Sequence, residues 1–497
     1  MITRRKFITA PVALSALSLP FPTMASAADS RVVIGVSLAP DSLDPTRTDA
    51  AIIGEITLGN ILEGLTRVNE NGTVEPLLAT SWSEESDGLS VVFHLRDDVQ
   101  FHDGAIMDAN IVKKSIDRAI KLGKQNKLHE TVFRNIADIV VHDSRTLSLK
   151  LRQPDPLLAY RLGTSPAVIV HPDSVDQLDQ HPIGTGPYMF HSWQAEKSVE
   201  LQRWPDYRHA DNITIERAEF RFMPEPDVQA EAIRTGTVDM LFHMSLQGID
   251  GHNVDQKYQV LLGNTNSKVL IAINNRRAPL NDKRVRQALT HAVDRARFIK
   301  HAFGGRGTAI GSHFVPTDPG FINLTSLYPY SPDMAQNLLN EAGVELPLKL
   351  TLALPPPPYA RMGGPVLAEL LAESGIELTV QQLTWHEWLD NVFERADFDL
   401  SLIMHVEPFD YHIYTRPDYY FGYDSPEFRR QFQQHNETRN PVKQRELMKA
   451  MQRQLAADAV NIWLLTPEMA SIAKKDLKGV WMDYPIFAHY LGDMYWL

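Results

Sequence analysis

Strand-like runs and stretches with helical spacing follow one another along most of the chain. Arg31–Ser37 is a β-branched run that predicts a strand, and a helix over Gly363–Ser374 is followed by the alternating run Ile376–Val380. This alternation indicates α/β layers with substantially parallel sheet. Because 497 residues exceed what one hydrophobic core usually holds, two or three domains are expected.

Three further helices have recognisable starts. Lys283–Lys300 carries apolar residues at three- and four-residue spacing and predicts one continuous helix, with Asn281 or Asp282 as its cap. Ser331 and Asn440 each stand before a proline at the first helical position, which is a common helix start. The prolines at 355–358 predict a stiff extended segment before the helix at Gly363.

Composition excludes several classes of protein. The chain contains no cysteine, which rules out disulfides, thiol nucleophiles, iron–sulfur clusters and cysteine-anchored lipids. Its net charge of −12 argues against nucleic acid as a partner, because phosphate binding needs a cationic face. With 43% hydrophobic and 22% charged residues, the composition is that of a globular protein.

The first 27 residues are typical of an export signal. Arg4, Arg5 and Lys6 precede an apolar stretch that ends in Ala25-Ser26-Ala27, so we expect cleavage after Ala27 and a periplasmic mature protein. The paired arginines favour the twin-arginine route, and an ordinary secretory signal is the alternative. No later segment reaches 18 uninterrupted apolar residues.

Motifs that would indicate an enzyme are missing. There is no G-x-S-x-G elbow, P-loop or G-x-G-x-x-G, and His386-Glu387 lacks the second histidine of a zinc-protease helix because Asp390 takes its place. The 18 histidines have no tight ligand spacing. The sequence therefore predicts a binding protein without catalytic residues, metal or cofactor.

Several segments, in one order, resemble the bacterial ABC-transporter solute-binding proteins of family 5, which include the dipeptide- and oligopeptide-binding proteins. The segments that carry the resemblance are 41–45, 60–65, 76–82, 86–88, 92–96, 101–104, 183–188, 204–207, 279–289, 292–295, 338–343 and 397–399. They are spread over essentially the whole mature chain. Each fragment alone is short, and their common order makes the match specific.

The resemblance implies a two-lobed, type II periplasmic-binding-protein fold with an extra inserted domain and a ligand cleft between the lobes. Lobe I would comprise residues 28–60, 184–272 and 478–497, with residues 61–183 as its inserted subdomain. Residues 273–477 would form lobe II. Hinge closure would bury the ligand and present a closed face to the membrane permease.

The resemblance also implies where a ligand is held. Peptide binders of this family meet the N-terminal ammonium with an acidic residue a few positions beyond the equivalent of 397–405, so Glu407 and Asp410 are the candidates. His405 stands close to the place of a tryptophan that is common there. The same stretch is rich in aromatic residues, which suit a pocket lining, and Tyr411, Tyr420 and Tyr423 complete the predicted site. A structural aromatic cluster is the alternative.

These observations predict the extracytoplasmic binding component of an ABC importer, a monomer that carries a peptide to a permease driven by a cytoplasmic ATPase. The same receptor role for an oligosaccharide, opine, haem or nickel chelate stays open. So do an exported hydrolase and a chaperone-like periplasmic protein on the same scaffold.

Overall fold

The computed structural model describes residues 30–47, 50–122, 132–244, 257–318 and 320–497. The predicted signal peptide, residues 1–27, lies outside this part of the chain. Among the described helices, none has both the length and the apolar character needed to cross a bilayer.

The strands of the described residues are numbered in chain order. They are β1 (Arg31–Val36), β2 (Thr66–Val68), β3 (Val74–Pro76), β4 (Ala79–Glu84), β5 (Ser90–Leu95), β6 (Ile136–Asp143), β7 (Thr146–Leu151), β8 (Tyr188–Gln194), β9 (Ser198–Arg203), β10 (Arg217–Phe222), β11 (Met240–Met244), β12 (Tyr258–Asn264), β13 (Lys268–Ile273), β14 (Thr308–Ala309), β15 (Leu348–Leu354), β16 (Ile376–Gln382), β17 (Leu400–His405), β18 (Asn461–Thr466), β19 (Glu468–Lys474), β20 (Leu477–Lys478) and β21 (Tyr495–Trp496).

The α-helices are numbered in the same way. They are α1 (Ala51–Thr57), α2 (Ala109–Leu122), α3 (Leu158–Arg161), α4 (Pro226–Thr235), α5 (Lys283–His291), α6 (Arg295–Ala302), α7 (Pro332–Glu341), α8 (Pro358–Ala372), α9 (Trp385–Trp388, continued by a π-helix over Leu389–Glu394), α10 (Pro426–Glu437) and α11 (Pro441–Ala457).

Two large sheets organise the molecule. A seven-stranded sheet has the order β12-β19-β11-β1-β10-β9-β8, and a six-stranded sheet has the order β14-β18-β13-β17-β15-β16. Among the paired strands of the described residues, β1 with β10 and β11, and β15 with β16 and β17, are parallel, and the other pairs are antiparallel. The prediction of substantially parallel sheet was therefore wrong. Antiparallel pairs arise in short hairpins such as β8–β9. They also arise between β12 and β19, the two strands of the seven-stranded sheet that adjoin the crossings to the other sheet.

A third, four-stranded antiparallel sheet, β4-β5-β7-β6, lies within the predicted insertion. The apolar face of α2 packs on it through Val112 and Ile116, and these side chains share a core with Phe93 and Leu149. This core is separate from that of the six-stranded sheet, where β13 is buried at all six positions.

The chain passes between the two large sheets at two closely spaced points. β12 and β13 are separated by residues 265–267, and β18 and β19 are separated by Pro467 alone. The predicted domain boundaries at 272/273 and 477/478 stay predictions; the crossings between the sheets lie several residues earlier in the chain than either of them. Below, the first lobe denotes residues 30–264 and 468–497, the second lobe denotes residues 268–466, and residues 265–267 with Pro467 are the hinge.

Local helix signals had mixed outcomes. Ser331 and Asn440 cap α7 and α11 with their side chains, as predicted. The predicted helix over Lys283–Lys300 is two helices, because the Asp294 side chain accepts from the backbone N–H groups of Ala296 and Arg297 and starts α6. The helix predicted to begin at Gly363 begins at Pro358 and continues through Pro365.

Candidate functional site

A cavity of about 200 Å³ lies between the two lobes, at the level of the hinge. The first lobe contributes the two ends of α1 (residues 50, 51 and 58) together with residues 132, 160, 161, 164–166 and 484–487. The hinge contributes Asn266 and Ser267, and the second lobe contributes residues 406–409. A cavity with walls from both lobes and the hinge is one that domain closure can form and open.

The wall from the second lobe is the segment that follows β17. Val406, Glu407, Pro408 and Phe409 all line the cavity. The Glu407 carboxylate accepts a hydrogen bond of 3.2 Å from the backbone N–H of Val406. Phe409 has a positive φ of 53°, a conformation in which a bulky residue is strained.

The wall from the first lobe is apolar with one cation. The Tyr160 ring meets the Phe409 ring edge to face at 4.7 Å, and the Tyr160 hydroxyl donates to the Pro485 carbonyl at 2.9 Å. Arg161 also lines the cavity, and its guanidinium pairs with Asp155. Glu407 and Arg161 are the charged side chains of the lining, and they stand on different lobes.

Behind the second-lobe wall lies a buried charge network centred on Asp410. Its Oδ1 accepts from Lys268 Nζ at 3.0 Å and from His313 Nε2 at 2.7 Å, while Oδ2 accepts from His405 Nδ1 at 3.3 Å. The side chains of Lys268 and Asp410 are 1% and 5% exposed. A buried ion pair of this kind persists only when further hydrogen bonds satisfy its members, and the two histidines supply them.

Two tyrosines complete this network through the second nitrogen of each histidine. The Tyr414 hydroxyl lies 2.9 Å from His313 Nδ1, and the Tyr420 hydroxyl lies 3.1 Å from His405 Nε2. Because a carboxylate can only accept, each imidazole donates one N–H to Asp410, and its other nitrogen faces a tyrosine hydroxyl. Burial lowers the pKa of His313 to about 4, in agreement with a neutral ring at pH 7.

Ionisation states near Asp410 follow from burial and charge. Burial alone would raise the pKa of Asp410, but His313, the Lys268 ammonium and the hydrogen bonds from both histidines hold it well below the usual range. Burial raises the pKa of neighbouring Asp318 to about 6, although Lys268 opposes the shift. The network therefore holds one firmly ionised carboxylate next to one that titrates near pH 6.

The donor atoms of His313, His405 and Asp410 lie within 4.8 Å of one another, which is close enough for metal ligands. The Lys268 ammonium, however, already occupies a position against Asp410, and each imidazole nitrogen has a protein partner. A cation there would have to displace a buried positive charge. The arrangement suits a hydrogen-bonded network better than a metal site.

The structure brings only part of the predicted site to the cavity. Glu407 lines it. Asp410, His405 and Tyr420 lie in the network behind its wall, and Tyr411 stacks on Phe314 with ring centroids 3.8 Å apart. Tyr423 lies elsewhere in the second lobe and donates to Asp458 at 2.6 Å.

Several lining residues were not predicted from the sequence. They are Ala50, Ala51, Leu58, Val132, Tyr160, Arg161, Thr164, Ser165, Pro166, Asn266, Ser267, Val406, Pro408, Phe409, Tyr484, Pro485, Ile486 and Phe487. Most are apolar or small and carry no chemical signal. Pro408 and Phe409 could have been predicted, because they directly follow the predicted Glu407 in the sequence.

Comparison with known proteins identifies the sequence family. A family model described as bacterial extracellular solute-binding proteins, family 5 middle, matches residues 73–425. The chain is 26% identical over 346 residues to the glutathione-binding protein GsiB of Salmonella paratyphi A (strain ATCC 9150 / SARB42). That match covers 68% of this chain and 66% of GsiB, so the chain spans just under two thirds of this relative.

Solved structures agree in fold. HbpA2 from Haemophilus parasuis superposes with a TM-score of 0.84 at 19% identity and covers 94% of this chain and 100% of that one. The ABC transporter-associated periplasmic binding protein DppA from Helicobacter pylori, in complex with the peptide STSA, gives a TM-score of 0.75 at 21% identity, with 94% and 98% covered. The predicted two-lobed α/β fold of type II is confirmed.

Proposed function

Because the chain belongs to the bacterial extracellular solute-binding proteins of family 5, we propose that it is the extracytoplasmic binding component of an ABC importer and that its cargo is a short peptide. The observation that carries the proposal is the cavity between the lobes, which Glu407 enters from one lobe and Arg161 from the other. A carboxylate and a guanidinium on opposite walls complement a zwitterion, which has an ammonium at one end and a carboxylate at the other.

In this proposal Glu407 receives the N-terminal ammonium of the peptide. Asp410, the other acidic candidate, is buried behind the cavity wall and engaged by Lys268 and two histidines, so it does not face a ligand in the cavity. Glu407 accepts one backbone hydrogen bond and keeps further acceptor capacity. Arg161, although paired with Asp155, has donors left for a terminal carboxylate.

The size and character of the cavity support a small cargo. Its volume of about 200 Å³ lies below the 300–1,000 Å³ that is common for drug-sized ligands. Tyr160, Phe409 and the segment 484–487 supply apolar surface. The names of two related proteins, one glutathione-binding and one in complex with a peptide, point to the same class of cargo.

The proposal includes a location and a partner. The N-terminal signal sequence supports export to the periplasm, where the protein would act as a monomer and deliver its cargo to the permease subunits in the inner membrane. Closure of the lobes around the cargo would create the surface that the permease recognises.

Thermal unfolding of the purified protein with a panel of solutes tests the proposal. We expect trialanine and glutathione to raise the melting temperature further at each higher concentration, because a ligand that binds only the folded state stabilises it by about 2.7 kcal/mol at one hundred times its Kd. Maltotriose and a nickel–histidine chelate serve as non-peptide probes. A higher melting temperature with one of these probes and no change with any peptide would contradict a peptide cargo and identify the class of that probe instead. Mass spectrometry of solutes released from the protein provides an independent check.

A further inference from the structure

Lys268 occupies an unusual position for a cation. It is the first residue of β13, immediately after the hinge residues 265–267, and only 1% of its side chain is exposed. In the ladder between β13 and β17 it stands directly opposite His405, the last residue of β17. The chain continues from His405 into the cavity wall, so Lys268 lies where the hinge and this wall meet.

The ammonium of Lys268 holds the cavity wall at two points. It donates to the Glu407 carbonyl at 2.7 Å and to the Asp410 carboxylate at 3.0 Å. These two acceptors lie on either side of Pro408 and Phe409. One buried cation therefore closes the segment 407–410 into a loop.

That loop contains the strained residue of the wall. With φ at 53°, Phe409 has a conformation that costs a bulky side chain free energy, and such a conformation persists only where the surroundings fix it. The two bonds from Lys268 provide this fixation. They also determine where the Glu407 side chain leaves the backbone and where the Phe409 ring meets Tyr160.

We propose that Lys268 is the positioning residue of the binding site: it orients Glu407 toward the cavity and thereby sets the preference of the protein for cargo with a free N-terminal ammonium. The inference rests on the proposed function, because it takes Glu407 as the ammonium acceptor. It adds that selectivity is determined by a residue that does not line the cavity.

Replacing the buried pair by apolar side chains tests the proposal. In the variant Lys268→Met/Asp410→Leu both charges are removed together, so no unpaired charge is left in the interior to destabilise the fold. Affinities for trialanine and N-acetyl-trialanine are measured by calorimetry. We expect the preference for the free ammonium to fall roughly tenfold, because a charge-assisted hydrogen bond is lost when Glu407 is no longer held in place.

A second buried ion pair offers a matched control. Arg208 and Glu63 pair at 2.7 Å with side chains 5% and 1% exposed, and neither lines the cavity. The variant Glu63→Leu/Arg208→Met should lower the melting temperature and leave the preference between the two peptides unchanged. Loss of stability alone would therefore not mimic the expected result.

Three outcomes separate the hypotheses. A wild-type preference that survives in Lys268→Met/Asp410→Leu overturns the role of Lys268. A wild-type protein that binds both peptides equally overturns the ammonium site at Glu407, and with it the proposed function in this form. Should the double variant not fold, Lys268→Arg decides, because a planar guanidinium keeps the charge but changes the two-point contact; an unchanged preference in this variant contradicts the proposal.

Discussion

Arg439 donates from Nε to a carboxylate oxygen of Glu84 at 2.9 Å, and this ion pair joins the two lobes. Glu84 ends β4 in the four-stranded sheet of the first lobe, while Arg439 lies between α10 and α11 of the second. The guanidinium rests against Gly88, where a Cβ atom would lie 1.2 Å from it. The pair is therefore a contact that exists only while the lobes are together.

We expect Glu84→Gln to favour separation of the lobes. An ion pair whose side chains are each 34% exposed contributes at most about 1 kcal/mol, so cargo affinity should fall by roughly twofold to fivefold, mainly through faster dissociation. The reversed pair Glu84→Arg/Arg439→Glu should recover most of the loss. Because the chain has no cysteine, Ile106→Cys and Met334→Cys can carry two dyes, one on each lobe, that report closure by energy transfer. Equal transfer in the wild type and Glu84→Gln would contradict this role.

Conservative substitution of Glu407 should weaken cargo binding, whereas conservative substitution of Tyr423 should lower only the stability of the fold. Glu407→Gln removes the charge that faces the cavity, so we expect roughly tenfold weaker binding of trialanine with little change in melting temperature. Tyr423→Phe removes the hydrogen bond to Asp458, away from the cavity, and should cost about 1 kcal/mol of stability with unchanged affinity. Calorimetry and denaturant unfolding of both variants check this. A loss of affinity in Tyr423→Phe would show that this tyrosine takes part in binding.

Local chemistry made parts of the structure predictable. Ser331 and Asn440 start their helices because a side-chain oxygen accepts from backbone N–H groups one turn away, which nearby sequence specifies. Asp294 also caps, and the apolar spacing that continues across it concealed the break between α5 and α6. At the hinge the turn-forming residues are few, Asn266 and Ser267 at one crossing and Pro467 at the other, and long strand-like stretches flank both.

The site was predictable only in its location. The sequence indicates an acidic and aromatic segment after β17, and Glu407 does line the cavity. What distinguishes it from Asp410 is Lys268, which lies 142 residues away along the chain and engages the Asp410 carboxylate. Pairing between β13 and β17 creates this contact, and no local pattern encodes it.

Export can be tested by a substitution that preserves charge. The paired arginines predict the twin-arginine route, so we expect Arg4→Lys/Arg5→Lys to retain the protein in the cytoplasm, because the receptor reads the arginines themselves. Lysines keep the positive charge that a general secretory signal needs, so that route should be unaffected. Cell fractionation with immunoblotting measures the distribution. Undiminished export of the lysine variant would assign the protein to the general secretory route.

Asp318 should make stability depend on pH in a direction opposite to that of most carboxylates. Burial raises its pKa to about 6, from 3.8 in the unfolded chain, so the folded state binds the extra proton. Its contribution to stability is fully present below about pH 3.8 and is lost as the pH rises through 6. Around it lie the Val315 N–H, which donates at 3.0 Å, and the charges of Lys268 and Asp410.

The variant Asp318→Asn removes this titration and keeps an oxygen acceptor for Val315. We therefore expect its stability relative to wild type to improve by about 2 kcal/mol between pH 4 and pH 7.5. His313 has a lowered pKa and acts in the opposite sense over the same range, but it is present in both proteins and cancels in the difference. Urea unfolding at both pH values provides the measurement. A difference in stability that stays constant with pH would contradict a raised pKa for Asp318. The charge of Lys268 would then offset the effect of burial on that pKa completely.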